Sequence, residues 1–125
     1  MNKNKIASIE KNSFLYLKSL RFLHLDFNRL KSLELGVFFG LEDLREISLR
    51  NNQLEKIDGA FSNLSELVNI YLDSNNLRRI DNQTFAGLES LEEIELSRNP
   101  LDEYIEKNVF DQFGDSIYTL KLSNI

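Results

Sequence analysis

Residues 44–66 read LREISLRNNQLEKIDGAFSNLSE, and the placing of the apolar residues in that stretch decides the fold. Leu44, Ile47 and Leu49 follow the frame LxxLxL, Asn52 comes three places on, and Leu54, Ile57, Phe61 and Leu64 complete the set. The same eight positions recur upstream as Leu20, Leu23, Leu25, Asn28, Leu30, Leu33, Phe38 and Leu41. Downstream they recur as Leu67, Ile70, Leu72, Asn75, Leu77, Ile80, Phe85 and Leu88. The steps between successive passes are 24, 23 and 24 residues. A fourth pass opens with Leu91, Ile94, Leu96, Asn99 and Leu101, stretches to 26 residues, and restarts at Ile117, Leu120 and Leu122. Before the first, Asn4, Ile6, Ile9, Phe14 and Leu17 fit the back half of another turn. Self-similarity at a fixed period of about 20–50 residues marks stacked units, each burying its apolar face on the next.

Each position has a physical task. Leu23 and Leu25, like their counterparts, alternate with polar residues at the period of a half-buried strand. One strand per turn, stacked in register, predicts a parallel sheet. The asparagine falls where the chain leaves that sheet, and its amide can donate to and accept from backbone groups the turn leaves unpaired. Asn4, Asn28, Asn52, Asn75 and Asn99 are therefore expected to form a ladder, one rung per turn. The aliphatics that follow fill the wedge, and Phe14, Phe38, Phe61 and Phe85 are expected to stack as a spine on the opposite side. The chain divides into a partial repeat 1–19, repeats 20–43, 44–66, 67–90 and 91–116, and a partial repeat 117–125, all in one domain. Both ends fall within a repeat, so the chain reads as a portion of a longer array whose uncapped ends invite self-association through open sheet edges.

This pattern resembles the leucine-rich-repeat family. A 24-residue period with Phe in its second half is similar to the type found in animal extracellular receptors and matrix proteins. The resemblance implies an α/β solenoid, a curved arc with a parallel concave sheet of one short strand per repeat and irregular or 3-10 segments on the convex side. It implies recognition of another protein, most often on the concave face, and not an enzyme. It also implies a segment of a receptor or secreted recognition protein, extracellular or at the cell surface. A cytoplasmic scaffold and a homophilic adhesion protein are the alternatives. Asn99-Pro100-Leu101 opens like the closing cap of extracellular relatives, but Asp102, Glu103, Tyr104 and Ile105 bring no cysteine and the frame restarts at Ile117.

Composition narrows the classes further. Over 125 residues, 42% hydrophobic and 28% charged residues describe a folded domain. The net charge of -5 argues against nucleic acid as a partner, which usually demands a basic face. The charge is unevenly spread. Residues 1–63 hold ten Lys/Arg against eight Asp/Glu (+2), and residues 64–125 hold five against twelve (-7). Without cysteine there is neither a disulfide nor a thiolate metal site. Met1-Asn2-Lys3-Asn4-Lys5 does not lead into the apolar run of a secretory signal, and no run is long enough to insert in a membrane.

With the register fixed, the outward strand positions follow. Phe22, His24, Phe27 and Tyr71 stand out there, because large aromatics are costly to leave in water and are enriched at binding hot spots. Ser48 falls between His24 and Tyr71 and leaves a shallow gap. Arg21, Arg45 and Arg50 give these aromatics a basic margin, so an acidic or mixed partner surface is expected. His24, Asp26 and Ser48 have the composition of a hydrolase triad, but no glycine-rich turn supplies an oxyanion hole. Glu92, Glu93 and Glu95 lack the spaced Asp/Asn/Gly loop of a calcium site and read as a solvated rim, so neither metal nor cofactor is expected. Two glycosylation sequons, at Asn63 and Asn82, fall off the strands. Leu15 and Phe39 occupy equivalent convex places and are expected to tuck against the spine.

Overall fold

The computed structural model describes residues 4–101, 104–105, 109–113 and 119–121. Its strands are β1 (Phe22–His24), β2 (Glu46–Ser48), β3 (Asn69–Tyr71), β4 (Arg79–Ile80), β5 (Glu93–Glu95), β6 (Tyr104–Ile105) and β7 (Thr119–Lys121). Five of them form one parallel sheet in the order β1-β2-β3-β5-β7. Every turn of the chain returns to the same starting point, so neighbouring strands must run the same way. Leu23, Ile47, Ile70, Ile94 and Leu120 line up as register partners. The first four of these side chains are buried, and the residues flanking them in the strands are exposed or half-buried on the concave side, except Ser48, which is buried.

The back of the arc is built mainly from turns. Among the described residues the one 3-10 helix is Asp111–Phe113. A second short parallel ladder, which the repeat frame does not announce, joins β4 to β6. Ser32 and Lys56 make the corresponding single bridge in earlier turns. The cause is local. Leu30 and Leu33 are buried, as are Leu54 and Ile57, and the segments they anchor lie side by side in successive turns. Leu33 N then reaches Lys56 O at 3.0 Å, and Glu55 N reaches Lys31 O at 2.9 Å.

The asparagines at the sheet exit are buried and bonded across turns. Asn52 accepts from the Leu30 amide at 3.1 Å and donates to the carbonyls of Leu25 and Leu49 at 3.0 and 3.1 Å. Asn75 does the same for Leu54, Leu49 and Leu72, and Asn99 for Leu77, Leu72 and Leu96. Asn28 accepts from Ile6 N at 3.1 Å. Asn4 is exposed. Each buried rung serves an amide 21 or 22 residues upstream.

The residue before each buried rung (Phe27, Asn51, Ser74 and Arg98) has a φ of 54–58°, the left-handed kink that swings the chain off the sheet. A later kink falls at Gly40, Asn63 and Gly87. At Gly40 the constraint is steric as well, since a Cβ would sit 2.6 Å from Leu15 Cα. In residues 81–84 the turn is held differently. Asp81 Oδ1 accepts from the amides of Gln83 and Thr84, and Thr84 Oγ1 accepts from Asp81 N.

The spine stacks with ring centroids 5.8, 6.0 and 6.2 Å apart from Phe14 through Phe38 and Phe61 to Phe85. It continues to Phe110 at 6.4 Å, a member hidden in the sequence by the lengthened fourth turn. Phe39 does not tuck. It is 51% exposed, while Leu15 is half-buried with Gly40 against its backbone.

Candidate ligand-binding face

The strand register turns the concave face into columns. Phe22, Glu46, Asn69, Glu93 and Thr119 are register partners along one, and His24, Ser48, Tyr71, Glu95 and Lys121 along the next. Asp26, Arg50, Asp73 and Ser97 continue the pattern two residues further on. Arg21, Arg45, Val68 and Glu92 form one rim, and Phe27, Asn51, Ser74 and Arg98 the other. Tyr118, Ser123 and Asn124, which the frame also turns outward, lie outside the described residues.

Polar side chains on this floor are tied to one another across strands. His24 Nε2 meets Glu46 Oε1 at 2.7 Å, and the other Glu46 oxygen accepts from Asn69 Nδ2 at 3.5 Å. Asp26 Oδ1 accepts from Ser48 Oγ at 2.5 Å and from Arg50 N at 2.9 Å. Arg50 reaches over two strands, donating from Nε to Asp73 at 2.8 Å and from Nη2 to Glu95 at 3.5 Å. Its guanidinium carbon lies 4.1 Å from the centroid of the Tyr71 ring, a cation–π contact. Tyr71 in turn donates its hydroxyl to Glu93 at 3.1 Å. Burial, then that bond and the negative charge of Glu93 and Glu46, push the Tyr71 phenol up to about 12, with Arg50 opposing.

This geometry redistributes the roles read from the sequence. Phe22 and Phe27 are 62% and 49% exposed, on one strand and its exit turn. His24 is exposed but paired with Glu46, so it does not chain with Asp26 and Ser48, and the triad composition has no triad geometry. Ser48 is buried, its hydroxyl committed to Asp26. Arg50 belongs to the floor, not to a basic margin, and is held by its own neighbours. Arg21 and Arg45 lie exposed on the rim. Among the described residues, no three His, Asp or Glu side chains group as a metal site. No helix there is long and apolar enough to cross a membrane. A mixed-charge cleft lined by Glu55, Lys56, Arg78 and Arg79 lies off this face.

The sequons acquire structural readings. Asn63, exposed with a φ of 66°, occupies the kink where Gly40 and Gly87 stand in adjacent turns, and asparagine is the side chain that best tolerates that region. Thr84, third residue of the Asn82 sequon, is buried and closes the Asp81 turn.

An arc with a short parallel strand per turn and an open, side-chain-lined concave face defines a solenoid recognition module. The profile of the family described as leucine rich repeat matches residues 23–77, 54–101 and 65–124, and the chain belongs to that family. Its members commonly serve protein–protein recognition and are typically not enzymes. No curated protein matches the chain. Among solved structures it is similar to TLR13 in a TLR13–ssRNA13 complex, with a TM-score of 0.86 and 29% identity, covering 99% of this chain and 18% of that one. It is similar to the leucine-rich repeat domain of APL1B (TM-score 0.73, 29% identity, 82% and 30% covered). The corresponding domain of APL1 gives a TM-score of 0.73 and 31% identity over 78% of this chain and 26% of that one. The chain thus spans less than a third of each of these structures. Because TLR13 was solved with ssRNA13, membership of this fold does not support the exclusion of nucleic acid drawn from net charge.

Proposed function

We propose that the chain is a recognition segment of a receptor or secreted protein, acting outside the cell or at its surface. It takes up another protein on the concave face. The observation that carries this reading is the pair Phe22 and Phe27, 62% and 49% exposed beside a floor of ordered polar side chains. Large rigid aromatics flanked by oriented polar groups are the usual composition of a hot spot. Phe22, His24, Phe27 and Tyr71 form the contact surface, Arg45 a rim contact, and Arg50 holds the Tyr71 ring.

The test is an array of secreted proteins and ectodomains, probed with wild type, Phe22→Ala, Tyr71→Ala and Glu55→Ala. A true ligand keeps its affinity for Glu55→Ala and loses about 30-fold or more on truncation of a hot-spot aromatic. If both aromatic variants bind like wild type, the concave reading falls and the convex pair Leu15 and Phe39 takes its place. Glycan on Asn63 or Asn82 after secretion from animal cells separates the extracellular reading from a cytoplasmic scaffold, which the absence of cysteine favours. Concentration-dependent self-association in the ultracentrifuge is the result that favours adhesion between like chains.

A further inference from the structure

We propose that the floor of the concave face receives a cationic segment of the partner, an extended chain carrying basic side chains three residues apart. This rests on the concave-face reading and names the chemistry of its ligand.

The charge of the face is set by position. The three floor columns hold five carboxylates (Asp26, Glu46, Asp73, Glu93 and Glu95) against one arginine, Arg50. Lys121 stands at the register position beside Glu95. The arginines beside the concave strands β1, β2 and β5, namely Arg21, Arg45 and Arg98, are on the rims. An acidic or phosphate-bearing ligand finds cations at the margin but has to lie over carboxylates to reach the floor.

The floor also displays how it holds a cation. Arg50 lies over the Tyr71 ring with Asp73 and Glu95 as its anions, at 2.8 and 3.5 Å. The same elements recur one column over. Glu46 and Glu93 flank Asn69, each a register partner of it. Both carboxylates are oriented in advance, Glu46 by His24 and Asn69, and Glu93 by the Tyr71 hydroxyl. The Glu46 side chain is 21% exposed, so its field is less screened than that of a free surface carboxylate. Phe22 is the register partner of Glu46, and its exposed ring offers the apolar stem of a lysine or arginine a place to lie.

The spacing selects the ligand's conformation. Glu46 and Glu93 are two strands apart, about 9.6 Å at the usual inter-strand distance. A polyproline-type chain rises about 3.1 Å per residue with three residues per turn, so side chains at i and i+3 share a face about 9.3 Å apart. A chain crossing the strands in that form sets one basic group at each carboxylate.

The experiment uses the full 125-residue chain and labelled peptides followed by fluorescence anisotropy. Four Arg-Pro-Pro repeats are the probe, compared with four Glu-Pro-Pro repeats, a single-stranded RNA oligonucleotide, and a peptide of the same composition with its arginines clustered. The arginine peptide should bind best, more weakly as salt rises. It should bind about tenfold more weakly to the double variant Glu46→Gln/Glu93→Gln, with Glu55→Gln as an unchanged control. Urea midpoints verify that the variants fold. Glu46→Gln alone, read by its flattened salt dependence, answers if the double variant does not. Failure of the arginine peptide to bind, or equal binding to the double variant, overturns the proposal. Preference for the glutamate peptide or RNA, lost in Phe22→Ala, overturns it while keeping the concave reading. Binding insensitive to every concave substitution but lost in Phe39→Ser overturns both. Equal affinity for the clustered peptide overturns the three-residue spacing.

Discussion

The Asn52 side chain satisfies backbone groups belonging to two successive turns. Its oxygen takes the Leu30 amide, and its nitrogen serves Leu25 and Leu49 from a site 9% exposed. Alanine there strands the Leu30 amide away from water, at about 1–3 kcal/mol, and takes one of two asparagine donors from the Leu25 and Leu49 carbonyls, which keep Asn28 and Asn75. Aspartate keeps the acceptor but cannot donate, and sets a charge among carbonyls. Both Asn52→Ala and Asn52→Asp should therefore lower the urea midpoint sharply, while Gln53→Ala, at an exposed neighbour, leaves it in place. An unchanged midpoint for Asn52→Ala removes the ladder as a source of stability. These rungs were legible because the task and the residue type coincide at a fixed place in the repeat. Asn63 was not, since a sequon and a left-handed kink ask for the same residue, and only its φ of 66° separates the two demands.

A strand of three residues has little stability of its own, so the β1-β2-β3-β5 rows are held by what passes between them. Tyr71 is the exchange point, facing Arg50 with its ring and Glu93 with its hydroxyl. Its phenol lies above the ordinary 10.0, pushed up to about 12 chiefly by burial. A raised value means that the protonated form contributes fully below pH 10.0, and that this contribution is lost as pH climbs toward about 12. Wild type should lose more stability over that window than Tyr71→Phe, which has no proton to give up. Urea midpoints measured across it provide the test, and parallel pH curves for the two proteins count against the account. The columns themselves were readable from the repeat frame, because a register that buries Leu23, Ile47 and Ile70 leaves only their neighbours outside. The partners within the columns were not. Arg50 could have pointed to solvent, and its turn toward Asp73 and Glu95 depends on three strands being in place together. The β4–β6 ladder was equally hidden, since it arises from the fit between convex segments and not from a residue pattern.

At the scale of the molecule, the front of each turn is constant and the back is variable. The interval from first strand leucine to rung is the same in Leu20–Asn28, Leu44–Asn52, Leu67–Asn75 and Leu91–Asn99, while whole turns run 23, 24 or 26 residues. The long fourth turn still delivers β7 into register with β5. Removing residues 44–66 joins Asp43 to Leu67 at equivalent points, so the shortened chain should fold with one cooperative urea transition at a lower midpoint. Removing only Ser48, Leu49 and Arg50 breaks the constant interval and should abolish that transition. The opposite ranking by circular dichroism refutes this division of the repeat. The one-way reach of the rungs, each tied to the turn before it, has a consequence for descent. A gene that gains or loses a whole turn in a single step lengthens or shortens every column of the face by one residue, while the constant interval to each rung keeps the other turns in register. Small insertions drift to the back, where they alter the outline and spare the reading frame of the face.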